Sequence, residues 1–253
     1  MSVPTGPEAS YFAARALHKR FGGIVAVEDL SVELRRGELV GLIGPNGSGK
    51  TTTINLVAGA LKPDSGSITL EGARMSGMPA YAFARVGVAR TFQVPRLFKR
   101  MTVIENLIVP ALTSPRSSRK EAEARAREVL AFLRLEQLAH AFARTLSGGQ
   151  QKLLELGRAL MLRPSLLLLD EPFAGVHPLL LEQIAGQIRS LNAEGYTIVL
   201  VDHNLDAVRS LVRRMLVMAR GRKIADGASE DVLRDPAVIR AYTGTRKALE
   251  GPP

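Results

Sequence analysis

The chain contains no cysteine. That excludes a disulfide framework, a thiolate metal site and a cysteine nucleophile, and it agrees with a reducing compartment. Long apolar runs are missing too. No stretch reaches the roughly 18 uninterrupted apolar residues of a membrane-spanning helix, so any membrane role is expected to be peripheral. The opening residues, MSVPTGPEASYFAARALHKR, carry no continuous apolar core of the signal-peptide kind. Internal repeats and low-complexity tracts are also absent. What is present suits a large core: 253 residues, 46% of them apolar, enough for one large domain or one domain with an insertion. Lysine and arginine number 34 against 24 acidic residues, and the net charge of +10 favours an anionic partner such as nucleotide, nucleic acid or lipid headgroups.

The texture changes twice along the chain. From about Tyr11 to Arg90, strand-like runs (SVEL, LVGLI, SITLEG, VGVA) alternate with glycine-rich turns and a helix carrying Ile54, Val57 and Leu61 on one face. From about Val94 to Arg163 helices dominate. One of them opens with a Ser118/Glu121 capping box, with Glu121/Arg125 and Glu123/Arg127 spaced as i,i+4 pairs and Ala126, Val129, Leu130 and Leu133 forming its apolar stripe. After Pro164 the strands LLLLD, TIVLVDH and RMLVMARG resume, separated by helical stretches over Pro178 to Ala193 and Leu205 to Leu211. The pattern predicts one α/β lobe, about 11–93 and 164–245, interrupted by a helical subdomain at about 94–163, with a flexible tail at 246–253.

Three motifs carry chemistry. GPNGSGKT, Gly44 to Thr51, follows a strand and opens a helix. Its glycines Gly44, Gly47 and Gly49 let backbone N–H groups converge on phosphate, with Pro45, Asn46 and Ser48 completing the loop, Lys50 reaching the outer phosphates and Thr51 offering a hydroxyl to Mg²⁺. LLLLDEP ends a buried strand with Asp170, suited to hold Mg²⁺ through water, and Glu171, suited to orient or deprotonate an attacking water. His203 after TIVLVD and Gln93 in RTFQ stand at the ends of two further strands, and all four elements are expected at one edge of a parallel sheet. The third motif is TLSGGQ, in which Gly148 and Gly149 sit at the mouth of a helix where Ser147 and Gln150 form an S-x-x-Q capping box. Glycine costs a helix about 1 kcal/mol relative to alanine, so a close approach to this backbone is expected. Read alone, the segment is either a capping box with a tight entry or a second anion site, which in a chain with one phosphate loop would serve a nucleotide held by another copy.

The set GPNGSGKT, Gln93, LSGGQ, LLLLDEP and His203, in that order, resembles the nucleotide-binding subunit of an ABC transporter over about Ala13 to Gly244. The resemblance implies a P-loop NTPase core of RecA-like kind, mainly parallel with an antiparallel N-terminal β part, and the helical insertion. It implies ATP and Mg²⁺, with two ATP molecules between two subunits, each contacted by the phosphate loop and Thr52 of one and by Ser147, Gly148, Gly149 and Gln150 of the other. By the same likeness Lys50, Gln93, Glu171 and His203 are catalytic, Glu171 as general base. Thr51, Gln93 and Asp170 attend the metal, His203 contacts the γ-phosphate, and Phe21 stacks on adenine. The expected partners are a second ATPase subunit, identical or paralogous, a permease and, indirectly, a solute-binding protein. No nucleic acid is expected, and the chain would lie at the cytoplasmic face of the inner membrane.

The stretch VARTFQVPRLFKRMTVIENLIV with the late IRAYTG looks like the ATPases of branched-chain amino-acid importers and their relatives for other small polar solutes; there Val94 to Met101, with Phe98 and Met101, would receive a permease helix. An exporter ATPase or a soluble ATPase of this family are the alternatives. The latter would need a long coiled-coil insertion, a CxxC hook or two motif sets, none of which occurs. One departure stands out: AGVHP puts His177 where the family usually has an acidic residue, so an ordinary hydrogen bond or a modest pH sensitivity is expected there.

Overall fold

The computed structural model describes residues 10–112 and 118–249. Strands β1 (Phe12–Phe21) and β2 (Ile24–Leu34) form an antiparallel pair, and β3 (Leu39–Ile43) leads through the glycine-rich loop into α1 (Lys50–Val57). Strands β4 (Ser65–Leu70) and β5 (Ala73–Arg74) add to the first pair, giving an antiparallel sheet of order β2-β1-β4-β5. After α2 (Ala80–Arg85) and β6 (Val88–Arg90) the chain turns helical: α3 (Val103–Ala111), α4 (Arg119–Leu133) and α5 (Gly148–Leu160). Strand β7 (Leu166–Asp170), α6 (Pro178–Ala193), β8 (Thr197–Val201), α7 (Leu205–Leu211), β9 (Arg214–Ala219), β10 (Arg222–Ala228), α8 (Ser229–Arg234) and α9 (Pro236–Leu249) complete it. The second sheet has the order β10-β9-β3-β8-β7-β6 and is parallel apart from the β9–β10 hairpin. The architecture is the expected one, α/β with a mainly parallel sheet and an antiparallel N-terminal part.

The uninterrupted apolar strands follow from burial on both faces. In β7, Leu167 and Leu169 face a core shared with α3, α4, α5 and α6, whereas Leu166 and Leu168 face a second core closed by α1 and the antiparallel sheet. Strand β8 divides likewise, with Ile198 and Leu200 on one side and Val199 and Val201 on the other. A sheet sealed in this way exposes its functional groups at strand ends. The carboxyl ends of β3, β6, β7 and β8 lie together at one edge, because these four strands are parallel neighbours.

Three local expectations differ. Helix α1 stops at Val57, before Leu61, because Ala58 ends it and Gly59 follows with φ +68°, packed so closely that a Cβ there would stand 2.3 Å from the Phe83 ring. On α4 the pairs Glu121/Arg125 and Glu123/Arg127 do not form. Glu121 is taken by the capping box, accepting from the Ser118 N–H at 2.8 Å, while Glu123 pairs back to Arg119 at 3.1 Å and Arg125 turns to Glu128 at 3.0 Å. Helix α9 runs on to Leu249, into the stretch expected as a tail; 250–253 lie outside the described residues.

Candidate active site

The loop from β3 to α1 is shaped by its glycines. Gly44 has φ +151° and a Cβ there would stand 2.2 Å from the Met218 carbonyl oxygen; Gly49 has φ +105° and a Cβ would meet the Ala26 carbonyl at 2.3 Å. Substitution would therefore force the loop off β2 and β9. Helix α1 starts at Lys50 with Gly49 as N-cap and no side-chain cap, so its first N–H groups, which have no intrahelical acceptor, are left for an external one. The Ser48 hydroxyl is buried among protein groups without a partner, a second orphan at the same place. Lys50 is buried, its Nζ donating to the Gly44 and Pro45 carbonyls at 2.7 and 3.0 Å. Burial lowers its pKa, while Glu171 and Asp170 pull the other way. Asn46, Gly47 and Thr51 are exposed along the rim, with Thr52 behind them. Phe21, at the end of β1, is 48% exposed, and so is not a core residue; the Lys19 ammonium lies 5.6 Å from its ring centroid.

Across the sheet edge the acids meet their partners. Asp170 is buried, its N–H donating to Thr91 Oγ1 at 3.1 Å; burial raises its pKa, and the Arg90 guanidinium at 3.4 Å works against that rise. Glu171 stands in the left-handed region, φ +49°, a conformation that costs a non-glycine residue about 1–2 kcal/mol. It is held there from both sides, its N–H donating to Val201 O at 2.7 Å and its carbonyl accepting from the Lys152 ammonium. The turn aims its carboxylate at Gln93, whose Nε2 donates to Glu171 Oε2 at 2.9 Å. His203 Nδ1 lies 3.6 Å from the same oxygen and 3.7 Å from Asp202 Oδ1. Gln93, Glu171 and His203 thus converge, with Asp170 adjacent in the chain. Thr51, Gln93 and Asp170 together offer hydroxyl, amide and carboxylate oxygens. Such hard oxygen donors fit Mg²⁺, which would take its remaining ligands from water and phosphate. Among the described residues no group of three or more His, Cys, Asp or Glu forms a protein-only metal site.

The two glycines of the second helix mouth do different work. Ser147 caps α5, its Oγ accepting from the Gln150 N–H at 3.3 Å while Gln150 Oε1 accepts from the Ser147 N–H at 2.9 Å. Gly149 is a packing glycine: a Cβ would stand 2.0 Å from Leu180 Cδ2 of α6. Gly148 faces open space, with nothing within 4 Å of a Cβ. The close approach inferred from the sequence is therefore internal at Gly149 and left open at Gly148. His177 is the N-cap of α6, its Nδ1 accepting from the Leu179 N–H at 3.4 Å, which is the ordinary hydrogen bond expected of it.

Several residues escaped the sequence reading. Asp202, fully buried, fixes the turns after β7 and β8 by accepting from the Phe173 and Asn204 N–H groups, each at 2.9 Å. Arg90 bridges Asn55 and Asp170 and stacks 4.4 Å over Phe92. Lys152 and Glu155 look like solvated helix charges in QKLLELGR, yet Glu155 is buried. The one available signal was their spacing on the same side as the apolar stripe.

Comparison with known proteins agrees with this geometry. Residues 27–174 match the family model described as ABC transporter, and residues 222–248 match that described as branched-chain amino acid ATP-binding cassette transporter. The high-affinity branched-chain amino acid transport ATP-binding protein LivG of Salmonella typhimurium is 40% identical over 247 residues, covering 92% of this chain and 97% of that protein. A solved ATP-binding cassette of an ABC transporter in its ADP conformation superposes with TM-score 0.84 at 35% identity, covering 93% of this chain and 99% of that one. A cassette solved as a dimer in a post-hydrolysis state with ADP and Pi gives TM-score 0.79 at 27% identity, covering 86% and 98%.

Proposed function

This chain belongs to the ABC transporter family, and from that premise we propose that it is the ATP-hydrolysing subunit of an importer for branched-chain amino acids or similarly small polar solutes. The observation that carries the enzymatic part is the 2.9 Å bond from Gln93 to Glu171 beside an uncapped helix mouth holding Lys50. In this reading the α1 mouth takes the ATP phosphates, Lys50 leaves its loop carbonyls for the outer phosphate oxygens, and His203 donates to the γ-phosphate. Phe21 supplies a flat apolar surface for adenine. Mg²⁺ held by Thr51, Asp170 and Gln93 would neutralise charge on the β- and γ-phosphate oxygens. Glu171, kept in position by Gln93 and by its strained turn, accepts a proton from a water whose oxygen bonds to the γ-phosphorus. The bond from that phosphorus to the bridging oxygen breaks, and ADP leaves with the electron pair.

The α5 mouth serves a second subunit. Ser147 to Gln150 bind the phosphates of ATP held by the partner's loop, so each site needs two chains; a cassette of similar fold solved as a dimer supports this. Closure buries phosphate charge against N–H dipoles, and hydrolysis removes the preference for the closed state. Residues 94–163 act as a helical subdomain beside the core. Val94 and Phe98, 75% and 45% exposed, offer apolar surface to a permease helix, Met101 being half-buried behind them. No described helix is long and apolar enough to cross a membrane, in keeping with a peripheral subunit on the cytoplasmic face. The solute class rests on the LivG likeness and the match at 222–248. Assembly with its permease in lipid nanodiscs tests the whole reading. ATPase activity is expected to rise when a branched-chain amino acid and its binding protein are added; a complex that hydrolyses ATP but ignores these solutes would overturn the solute class, and a chain that neither binds nor hydrolyses ATP would overturn the rest.

A further inference from the structure

Helix α5 is bound to the active site by three side chains spaced three residues apart. Glu155, 4% exposed, accepts the Phe92 N–H on Oε2 at 3.1 Å and the Arg96 N–H on Oε1 at 2.8 Å, gripping both ends of the segment that carries Gln93. Lys152 donates to the Gln93 carbonyl at 3.5 Å and, more closely, to the Glu171 carbonyl. Arg158 donates to the Arg96 carbonyl and covers the Phe98 ring at 4.9 Å. A carboxylate at this depth is costly to desolvate, and burial raises the pKa of Glu155. It earns retention by satisfying two N–H groups of a segment with no ladder or helix partner of its own. The connection is made of direct bonds.

We propose that Glu155, with Lys152 and Arg158, makes α5 a rigid link between its own N-terminal mouth and the Gln93–Glu171 pair, with Glu155 as a positioning residue for hydrolysis. This rests on the reading that a second subunit's nucleotide seats at Ser147 to Gln150. The Gln93–Glu171 bond of 2.9 Å is already made in the single chain, and the Glu155 grip on Phe92 and Arg96 holds the Gln93 segment in that register while a nucleotide seated at the α5 mouth loads the helix. Coupling of this kind is demonstrated by non-additive substitutions rather than by proximity.

The absence of native cysteine permits a direct test on the full chain. A spin label on Val94→Cys, within the gripped segment, is expected to be ordered in the parent and to gain mobility in Glu155→Ala. In unlabelled protein Glu155→Ala should lower kcat about tenfold, the loss of roughly one charged hydrogen bond's worth of positioning, with KM for ATP held within about twofold. Glu155→Gln, which keeps one acceptor, should fall between. In a Gln93→Ala background Glu155→Ala should remove nothing further. Unchanged label mobility in folded Glu155→Ala, or full additivity with Gln93→Ala, overturns the link; if Glu155→Ala does not fold, Glu155→Gln and Lys152→Met carry the same measurements. A parent chain without ATPase activity would count against the proposed function instead, and the label mobility would still decide the link.

Discussion

Two helix mouths in this molecule have the same physics and opposite construction. At α1 the N-cap is a glycine at φ +105° with no side-chain cap, a lysine sits at the first turn and a buried serine hydroxyl lacks a partner. At α5 a complete Ser147/Gln150 capping box closes the helix on itself, and the one concession to a visitor is the open space at Gly148. A mouth left unsatisfied is built to hold an anion on its own. A self-satisfied mouth is stable without a ligand and suits one that arrives already bound elsewhere. On the function proposed above, one chain would carry the strong half of its own site and the weak half of its partner's, and the self-capped half would leave the monomer stable.

The contrast is broken most severely by removing the chemistry at the first mouth while leaving both mouths intact. Glu171→Gln should lower steady-state phosphate release by about a hundredfold or more and still support ATP-dependent dimers, measured side by side by phosphate assay and analytical ultracentrifugation; full activity in this variant would remove Glu171 from its role. Disabling the second mouth alone sharpens the comparison. Ser147→Arg in the Glu171→Gln background should weaken dimerisation about tenfold or more while monomer affinity for ATP changes by about twofold or less, and equal loss of both would merge the two mouths into one.

The two glycines separate packing from access. Gly149→Ala brings a methyl against the end of the half-buried Leu180 side chain and should be less favourable than Gly148→Ala by about 1 kcal/mol in urea denaturation; a reversal would mean the α5–α6 contact is wrongly described. Smallest is the cap of α6. His177→Ala should cost about 0.5–1 kcal/mol, recovered by His177→Asn, and no measurable loss would show the 3.4 Å bond to be idle.

Much of this was legible in the chain because it is local. The phosphate loop, the Ser147 and Ser118 capping boxes and helices Pro178–Ala193 and Leu205–Leu211 are written in consecutive residues, and the structure draws them where the spacing predicts. Both-faced burial of β7 and β8 was equally readable from unbroken apolar runs. The failures were of competition: Glu121 and Glu123 each had two arginines or a backbone cap within reach, and sequence spacing cannot rank them. Lys152 and Glu155 were missed because a charge on an amphipathic helix reads as solvated until a distant loop is known to cover it.

Sequence by itself determined the elements and the kind of chemistry, since caps, glycine-rich turns and apolar periods act over a handful of residues. Tertiary structure alone decided which oxygen Gln93 reaches, that Glu171 is turned to φ +49°, that Gly149 guards a helix contact and that Glu155 grips residues some 60 positions away. Those outcomes depend on the order of strands in the sheet and on how α5 and α6 lie against it, and a hydrogen bond of about 3 Å between residues far apart in the chain exists only once that packing has fixed both ends.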